Sequence, residues 1–402
     1  RSIRALEQLF RQLKANWSHK NYGVKLGHTS TTTLTNLRFA DDVMLVASTL
    51  PQLTTMLTQL RQQAKQYGLE LHPDKTKILT NLSKRRGRDA RTSVDVDGEP
   101  VSILHYHQYV KYLGRKVCFD EYHKTELDDR IASAWGKFHL LRHELTSKHY
   151  PLNSRLKLFN STITPTVMYG SAAWTLNKNM ETTLQRAQRR MLRLILGTPR
   201  RKTKQAATDD NHSSHSTDDV ASNTSSTNLE HLIELTDQEL LEPWPDFIKR
   251  ATRTVEAHLE RLNIEDWTTL YLRKKWRWAA RVAQQPDDRW SRLVVQWDPE
   301  VTHPRRAKRP QARPRTRWDD DINAYLSHCY NYDNNETCDD NNDYGTSNTT
   351  KPHWLQLGVN PFTWKSHEQS FIEYVRNATK NTTTNQQQQQ EEGQGQGQGQ
   401  QQ

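Results

Sequence analysis

Residues 37–48, LRFADDVMLVAS, place two adjacent aspartates between short apolar runs, and this pair constrains the fold more than any other feature of the chain. Aspartate is rare in strands and costly to bury, so the stretch predicts two short strands joined by a turn at Asp41 and Asp42. Adjacent carboxylates held at such a turn attract a hard divalent cation such as Mg²⁺, which prefers oxygen ligands. The alternative is an ordinary hairpin turn, because aspartate side chains also bond to nearby backbone groups, and the bare pair favours that alternative.

The segments around the acidic pair predict an α+β fold. Apolar residues recur at helical spacing over residues 1–17 and again over 49–68. In the second helix Thr49 is placed to cap the first turn and Gly68 to end the last one. Both helices have one apolar face, so we expect them to pack against the strands.

Two further stretches predict strands. GLELHPDKTKILTN, residues 68–81, predicts a strand, a turn at Pro73-Asp74 and a second strand. YVKYLGRKV, residues 109–117, predicts one more strand with a break at Gly114.

The middle of the chain predicts helices over residues 127–145, 154–165 and 180–197, with the second ending at Pro165 and the third at Gly197. The expected buried positions are Ile131, Trp135, Phe138, Leu141 and Leu145 in the first helix and Met180, Leu184, Ala187, Met191 and Leu194 in the third. A shorter helical region follows over about 230–295.

Composition indicates unfolded segments and an anionic partner. Apolar residues make up only 34% of the chain, and 202–229, 331–350 and the Gln/Gly-rich end have almost no core-forming residues, which predicts disorder there. Lys and Arg number 57 against 46 Asp and Glu, and the estimated pI is 9.4. This excess is typical of nucleic-acid binding, but a solvated basic surface explains the charge alone equally well.

The cysteine content and the hydropathy of the chain limit the cellular compartments in which we expect the protein. Three scattered cysteines do not predict a disulfide framework, and no apolar stretch approaches the roughly 18 residues that span a bilayer. The N-terminal stretch lacks a secretory signal pattern. We therefore expect the protein in the nucleus, the cytoplasm or both, not secreted and not in a membrane.

The basic charge is concentrated between Tyr271 and Trp318, where fourteen Lys and Arg stand against four Asp and Glu. Arginines neutralise phosphates, and exposed aromatic rings stack on unpaired bases. The tryptophans of WRWAARV favour a core role, whereas the proline-rich strap HPRRAKRPQARPRTRW favours a nucleic-acid contact or a nuclear-import signal. The candidate contact residues in the strap are Arg305, Arg306, Lys308, Arg309, Arg313, Arg315 and Arg317.

A zinc site is a weaker candidate. His328, Cys329, Cys338 and His353 supply four ligand types, but the spacing of Cys329 and Cys338 is not that of a zinc knuckle and the intervening loop is very polar. The sequence does not decide whether these cysteines bind metal.

Several motifs occur together in an order that resembles reverse transcriptases of non-LTR (LINE-type) retrotransposons. The motifs are FADD (39–42), GLELHPDKTKILTN (68–81), YVKYLG (109–114), PLNSRLKLFNSTITPTVMYGSAAWTL (151–176), LQRAQRRMLRLILG (184–197), WRWAARVAQQPDDRWSRLVVQWDP (276–299) and RPRTRWDDDI (313–322). The last two are similar to the C-terminal extension of the RTE-like, or endonuclease–reverse transcriptase, branch. The resemblance covers about residues 1–325, with gaps.

The resemblance implies the C-terminal half of a polymerase palm, a β-hairpin plus helix, followed by thumb-like helices, a small basic helical region and disordered segments. It implies that Asp41 and Asp42 are catalytic metal ligands for two Mg²⁺ ions and that Lys75 and Lys77 lie near the leaving pyrophosphate, although solvated strand ends explain the lysines equally well. Tyr112, Leu113 and Gly114 would contact the primer end. The implied partners are an RNA template and a DNA primer.

The implied domains are a partial palm (1–120), a thumb-like helical region (121–200), a disordered insert (201–229), a basic Trp-rich region (230–325) and a mostly disordered tail (326–402). In the family, the fingers and a third catalytic aspartate precede the part that Arg1 begins, so we expect RNA-directed DNA polymerase chemistry in the intact enzyme but not in this chain alone. The alternative is a non-catalytic nucleic-acid-binding relic or domesticated protein. The sequence gives no oligomeric state.

Overall fold

The computed structural model describes residues 2–26, 33–81, 92–201, 241–297, 316–333 and 354–378. The predicted disordered segment at 202–229 and the Gln/Gly-rich end lie outside these ranges, as does the predicted segment at 331–350 except for residues 331–333, which are helical. The chain divides into two compact units, which are described separately. Unit 1 comprises Arg1–Ala132, Val167–Glu181 and Thr269–Gln402, and unit 2 comprises Ser133–Thr166 and Thr182–Thr268.

The described residues form an α+β fold, as the sequence predicted. The strands are β1 Val24–Lys25, β2 Thr33–Leu34, β3 Asn36–Phe39, β4 Asp42–Leu45, β5 Lys77–Leu79, β6 Ser93–Val96, β7 Glu99–Leu104, β8 Val110–Tyr112 and β9 Arg115–Val117. The helices are α1 Ser2–His19, α2 Leu50–Gln66, α3 Tyr122–Leu140, α4 Arg142–Thr146, α5 Leu152–Val167, α6 Lys178–Leu196, α7 Trp244–Arg261, α8 Trp267–Ala283, α9 Trp290–Gln296, α10 Asp320–Asp333, α11 Trp354–Leu357, α12 Pro361–Ser366 and α13 over 368–378.

The sheets of unit 1 are small. β1–β2, β3–β4 and β8–β9 are antiparallel hairpins or pairs. β7 is the centre of a three-stranded sheet, in which β5 runs parallel to it and β6 antiparallel. Val43 and Leu45 on β4 face the core, so the β3–β4 hairpin is held from one side.

Two apolar clusters join these sheets to α1 and α2. Leu9, Phe10, Leu13 and Trp17 of α1 pack with Met56, Leu60 and Ala64 of α2, and Val43 and Leu45 pack against them. The opposite side of α2 contributes Leu57 to a second cluster with Ile78, Val96, Val101 and Ile103. The helix therefore lies between the β3–β4 hairpin and the three-stranded sheet.

The predicted capping of α2 is confirmed. The side chain of Thr49 accepts a hydrogen bond from the backbone N–H of Gln52, and Pro51 occupies the first turn. The helix ends at Gln66, and Gly68 has the left-handed φ of +68° that a helix end commonly needs.

Three predictions of local structure were wrong. Residues 69–71 form no strand, because Leu69 and Leu71 instead lie against the two clusters as an irregular link to the turn at 73–75. YVKYLGRKV is a hairpin and not one strand, since β8 and β9 pair across Leu113-Gly114.

Pro165 does not end α5, which continues to Val167. Pro165 itself is exposed, whereas Ile163 and Val167 of the same helix are fully buried, so the burial of the apolar positions of α5 outweighs the one backbone hydrogen bond that proline removes.

Unit 2 is helical. Trp267 is fully buried, stacks on Phe159 at 5.8 Å and donates its indole N–H to the hydroxyl of Thr164 at 3.0 Å. In α6 the predicted buried positions Leu184, Ala187 and Met191 are confirmed, but Leu194 is 45% exposed and Leu192 and Ile195 are buried in its place. Gly197 follows the helix with φ of +59°, as predicted.

The C-terminal part of unit 1 contains more ordered structure than composition predicted. Trp276 stacks on Trp364 with ring centroids 3.9 Å apart, and each indole N–H donates to the other residue's carbonyl at 2.9 Å. Phe371 completes the stack. Residues 354–378 lie inside the predicted disordered tail but are helical, because a few large aromatic side chains suffice to bury them. The predicted domain boundaries as such stay predictions.

Candidate active site

The β3–β4 hairpin, named here the acidic hairpin, carries Asp41 and Asp42 at its tip. Phe39 pairs with Asp42 across a two-residue turn formed by Ala40 and Asp41. Ala40 has a φ of +53°, a left-handed conformation that costs an L-residue about 1–2 kcal/mol. The predicted hairpin is confirmed, and its tip holds local backbone strain of a kind that clusters at functional sites.

Both carboxylates of the tip face solvent. Asp41 and Asp42 are exposed, and neither makes a hydrogen bond or ion pair with another side chain in the described ranges. Two adjacent carboxylates, held on a short hairpin and free of a protein counter-charge there, suit the oxygen-ligand preference of Mg²⁺. The base of the hairpin is fixed, because Arg38 is ion-paired with Glu7 at 3.1 Å and lies over the ring of Phe10.

The β8–β9 hairpin, named here the anchored hairpin, contains the second set of predicted site residues. Tyr112 pairs with Arg115 across Leu113 and Gly114, whose φ values are +49° and +72°. Two consecutive residues with positive φ match the strand twist of a tight hairpin. Glycine adopts this conformation freely, whereas Leu113 does so at a cost.

The two hairpins interact electrostatically. Partial burial and then the charge of Asp42 raise the pKa of the Tyr112 phenol above its usual value. Of the predicted site residues, Asp42 and Tyr112 therefore interact electrostatically although they lie about 70 positions apart in the chain.

A group that sequence reasoning missed holds the anchored hairpin in place; we name it the turn anchor, and it consists of Glu126, Arg115, Arg130 and Tyr169. Glu126 is fully buried and accepts hydrogen bonds from Arg115 Nε at 3.0 Å and Arg130 Nε at 3.1 Å. Arg130 also donates to the carbonyl of Gly114, and the hydroxyl of Tyr169 donates to the carbonyl of Leu113 at 2.9 Å. The one available signal was the i,i+4 spacing of Glu126 and Arg130, which is usually a surface pair.

Lys75 and Lys77, the two lysines predicted to lie near the leaving pyrophosphate, follow α2 in the chain, whereas the acidic hairpin precedes it. Lys75 is in the turn at 73–75, and Lys77 begins β5, where it pairs with Ser102. Both side chains are exposed. No contact joins either lysine to Asp41 or Asp42 among the described side chains, so their predicted role stays a prediction.

Most of the predicted basic strap lies outside the described residues, namely Arg305, Arg306, Lys308, Arg309, Arg313 and Arg315. Arg317 is described, and its guanidinium donates to the carbonyls of Val295 and Trp297. Its backbone N–H donates to Asp320. Arg317 thus closes a local turn, which leaves its predicted nucleic-acid contact untested.

Of the four candidate zinc ligands, the structure describes His328 and Cys329. Cys329 is a free thiol, whereas Cys338 and His353 lie outside the described residues. Within the described ranges, no cluster of three or more His, Cys, Asp or Glu side chains is placed to hold a metal ion. In those same ranges, every helix is too short or too polar to cross a bilayer.

Comparison with known proteins agrees with the site. Residues 2–117, which span both hairpins, match the family described as reverse transcriptase (RNA-dependent DNA polymerase). That part of the chain is therefore similar to a reverse transcriptase domain.

One curated relative is similar to most of the chain. The chain is 27% identical over 301 residues to an uncharacterized transposon-derived protein of Caenorhabditis elegans, and the alignment covers 73% of this chain and 86% of the relative. No solved structure matches the chain at a significant level. Both matches support the resemblance to retrotransposon reverse transcriptases, and the LINE-type, RTE-like branch stays a prediction.

Proposed function

We propose that the protein is part of the RNA-directed DNA polymerase of a non-LTR retrotransposon of the LINE-type, RTE-like branch. In this proposal the intact enzyme extends a DNA 3′ end on an RNA template. The observation that carries it is the acidic hairpin, whose two exposed carboxylates lie within the residues that match the reverse transcriptase family. We expect the protein to act in the nucleus or the cytoplasm, where such nucleic acids are found.

Asp41 and Asp42 are the residues that would hold Mg²⁺. When bound, Mg²⁺ neutralises phosphate charge and stabilises the attacking and leaving oxygens of phosphoryl transfer. Both carboxylates are available to a cation because they make no ion pair with described side chains. The partly buried side chains of Val43 and Leu45 hold β4, the strand that Asp42 begins, against the core. Tyr112 and the turn that follows it would position the primer end next to them.

Two neighbouring carboxylates on one turn are a poor set for two ions, and the family uses a third aspartate from an earlier strand. We therefore propose that these 402 residues, purified as they are, bind Mg²⁺ and primer–template but do not sustain synthesis. Binding and turnover then separate, and each has its own measurement.

Metal binding tests the proposal directly. Titration with Mn²⁺ as a paramagnetic probe should show a site in the wild-type chain that Asp41→Asn weakens by about tenfold or more, because one carboxylate ligand is lost. Asp74→Asn is the matched control, since Asp74 is an exposed turn aspartate of the same unit, and it should leave the site unchanged. Equal Mn²⁺ affinity in all three chains would refute the assignment.

Primer extension tests the second part. With an RNA template, a DNA primer and Mg²⁺, we expect no sustained synthesis from the chain alone. Robust synthesis that Asp41→Ala abolishes would contradict the proposed inactivity while supporting the metal site. Salt-sensitive nucleic-acid binding without any Asp41-dependent metal site would instead favour the alternative, a non-catalytic relic or domesticated binding protein.

A further inference from the structure

We infer that Glu126 is a positioning residue, which fixes the Leu113–Gly114 turn and through it the place of a primer 3′ end beside the acidic hairpin. The inference rests on the proposed function and deepens it. Glu126 is not proposed to contact metal or nucleic acid; it acts through the backbone of the turn.

The carboxylate of Glu126 is buried and fully hydrogen-bonded. Glu126 is fully buried and accepts three hydrogen bonds, from Arg115 Nε, Arg130 Nε and the backbone N–H of Lys116, the last at 2.9 Å. A buried charge is tolerated only when it is paired and its lone pairs are satisfied. Glu126 meets both conditions, so its side chain has one well-defined place.

The residues bound to Glu126 lie next to the turn or donate to it. Arg115 and Lys116 are the first residues of β9, and Arg130 donates to the carbonyl of Gly114. Tyr169 donates to the carbonyl of Leu113, and Arg130 lies over the Tyr169 ring at 4.9 Å. Both carbonyls of the turn are engaged, which restricts rotation of both peptide planes.

The conformation of the turn needs such support. Leu113 has a positive φ, which an L-residue adopts only when its surroundings impose it. Arg115 packs against Gly170, where an added Cβ would lie 2.9 Å from Arg115 Nε. Among the described atoms Arg115 Nη2 is buried without an acceptor, so Glu126 is the main partner of that guanidinium.

The position of Tyr112 connects the turn to the proposed function. Tyr112 directly precedes the turn and pairs with Arg115, which donates to Glu126. In the proposed function Tyr112, Leu113 and Gly114 position the primer end, so a shift of the turn would move that end relative to the proposed metal site. A change of about 1 Å in the placement of a reacting group is costly for catalysis.

The experiment uses Glu126→Gln in the full chain, with Asp128→Asn as the matched control. Glutamine keeps the size of the side chain but removes the charge that both arginines share. Asp128 lies on the same helix two positions away, is exposed, and loses the same charge. Any general effect of charge on α3 should therefore be the same in both variants.

The first measurement is hydrogen exchange of residues 109–117 in the free chain. We expect exchange about tenfold faster or more in Glu126→Gln, because a charge-assisted hydrogen bond is lost, and no change in Asp128→Asn. Unchanged exchange in Glu126→Gln overturns the inference. If that variant fails to fold, Tyr169→Phe removes the bond to Leu113 alone, and it must speed exchange of the same segment for the inference to stand.

The second measurement is photo-cross-linking of a primer–template with 5-iodouracil at the primer 3′ end. In Glu126→Gln we expect a lower cross-link yield to residues 109–117 with overall affinity within about twofold, because phosphate contacts elsewhere dominate binding. Faster exchange with an unchanged yield overturns the positioning role. A merely structural role would lower yield and affinity together.

The two proposals fail in different ways. If the wild-type chain gives no cross-link at 109–117 and no Asp41-dependent Mn²⁺ site, the proposed function fails, and the primer part of the inference fails with it. The exchange measurement needs no nucleic acid, and it still decides whether Glu126 holds the turn.

Discussion

The acidic hairpin and the anchored hairpin have similar strands and turns, but different parts of each hairpin are held by other side chains. Each has short strands, a two-residue turn and a non-glycine residue at positive φ, Ala40 in one and Leu113 in the other. The tip of the acidic hairpin has no side-chain partner in the described ranges, whereas both turn carbonyls of the anchored hairpin accept hydrogen bonds from the turn anchor. The acidic hairpin is held at its base, and the anchored hairpin is held at its tip.

The difference fits what each tip is proposed to do. A carboxylate that is already paired with an arginine has less affinity for a cation, so a metal-binding tip benefits from unpaired acids. A backbone turn that contacts a substrate strand has no charge of its own and works only if its peptide planes are fixed. The following predictions test this contrast, ordered by the expected change in the free energy of unfolding.

The largest effect is expected for Glu126→Ala. Removing the carboxylate leaves Arg115 and Arg130 buried without their shared counter-charge, which costs about 3–5 kcal/mol. Urea unfolding followed by tryptophan fluorescence measures the change. Asp128→Ala on the exposed side of the same helix should stay within about 0.5 kcal/mol. A loss below about 1 kcal/mol for Glu126→Ala would mean that the turn anchor contributes little.

A second substitution separates the clash at the turn anchor from backbone strain. Gly170→Ala and Gly98→Ala both place a side chain at positive φ, +68° and +82°, but only the first meets another atom, Arg115 Nε. We expect Gly170→Ala to destabilise the protein by about 1–3 kcal/mol more than Gly98→Ala, because overpacking adds to the strain. Equal effects in the same urea assay would show that the Arg115 side chain moves aside freely.

The pH dependence of stability reports on the surroundings of the turn anchor. Burial, then the charges of Arg115 and Lys275, lower the pKa of His123 to about 4. Between that value and the unfolded pKa of about 6.5, the unfolded chain binds more protons than the folded one. Stability is therefore complete above about pH 6.5 and falls as the pH drops toward 4, by at most about 1.4 kcal/mol per pH unit.

Urea midpoints between pH 7.5 and 5 measure this slope. His123→Gln should flatten it, because its side chain does not titrate. An identical slope in the variant would assign the acid sensitivity to other groups.

The contrast between the hairpins also shows which parts of the fold can be predicted from local sequence patterns. The acidic hairpin follows from local chemistry, since aspartates between apolar runs leave few other conformations. The anchored hairpin was missed as a hairpin because Leu113 is an unusual residue for a turn and only Gly114 gave a signal. Its conformation depends on Glu126 and Tyr169, which are 12 and 55 positions after Gly114 and become neighbours only in the folded chain.

The same reason explains the other differences. Thr49 and Gly68 were recognised because capping acts within one helix turn. The continuation of α5 past Pro165 and the burial of Trp364 in a polar tail depend on tertiary packing, such as the stack of Trp364 on Trp276, which local patterns do not contain.

A smaller and stabilising effect is expected for Ala40→Gly. Glycine relieves the left-handed strain at Ala40 but has more freedom in the unfolded chain, so the net gain is about 0.5–1 kcal/mol. Ala132→Gly, on an exposed helical position, is the control and should destabilise by about 1 kcal/mol. A loss of stability in both variants would indicate that Ala40 is not strained.

The smallest effect in the absence of divalent cations is expected for Asp41→Asn, and it is the sharpest test of the contrast. Because Asp41 makes no ion pair with a described side chain, its neutralisation should change the free energy of unfolding by less than about 0.5 kcal/mol, with relief of repulsion from Asp42 acting to stabilise. With Mg²⁺ at ten times its dissociation constant, the wild-type chain should gain about 1.4 kcal/mol by mass action and the variant much less. Glu126→Gln should respond to Mg²⁺ as the wild type does, since the turn anchor binds no cation. A marked loss from Asp41→Asn without Mg²⁺ would mean that the carboxylate has a structural partner, and the acidic hairpin would then differ less from the anchored one than proposed.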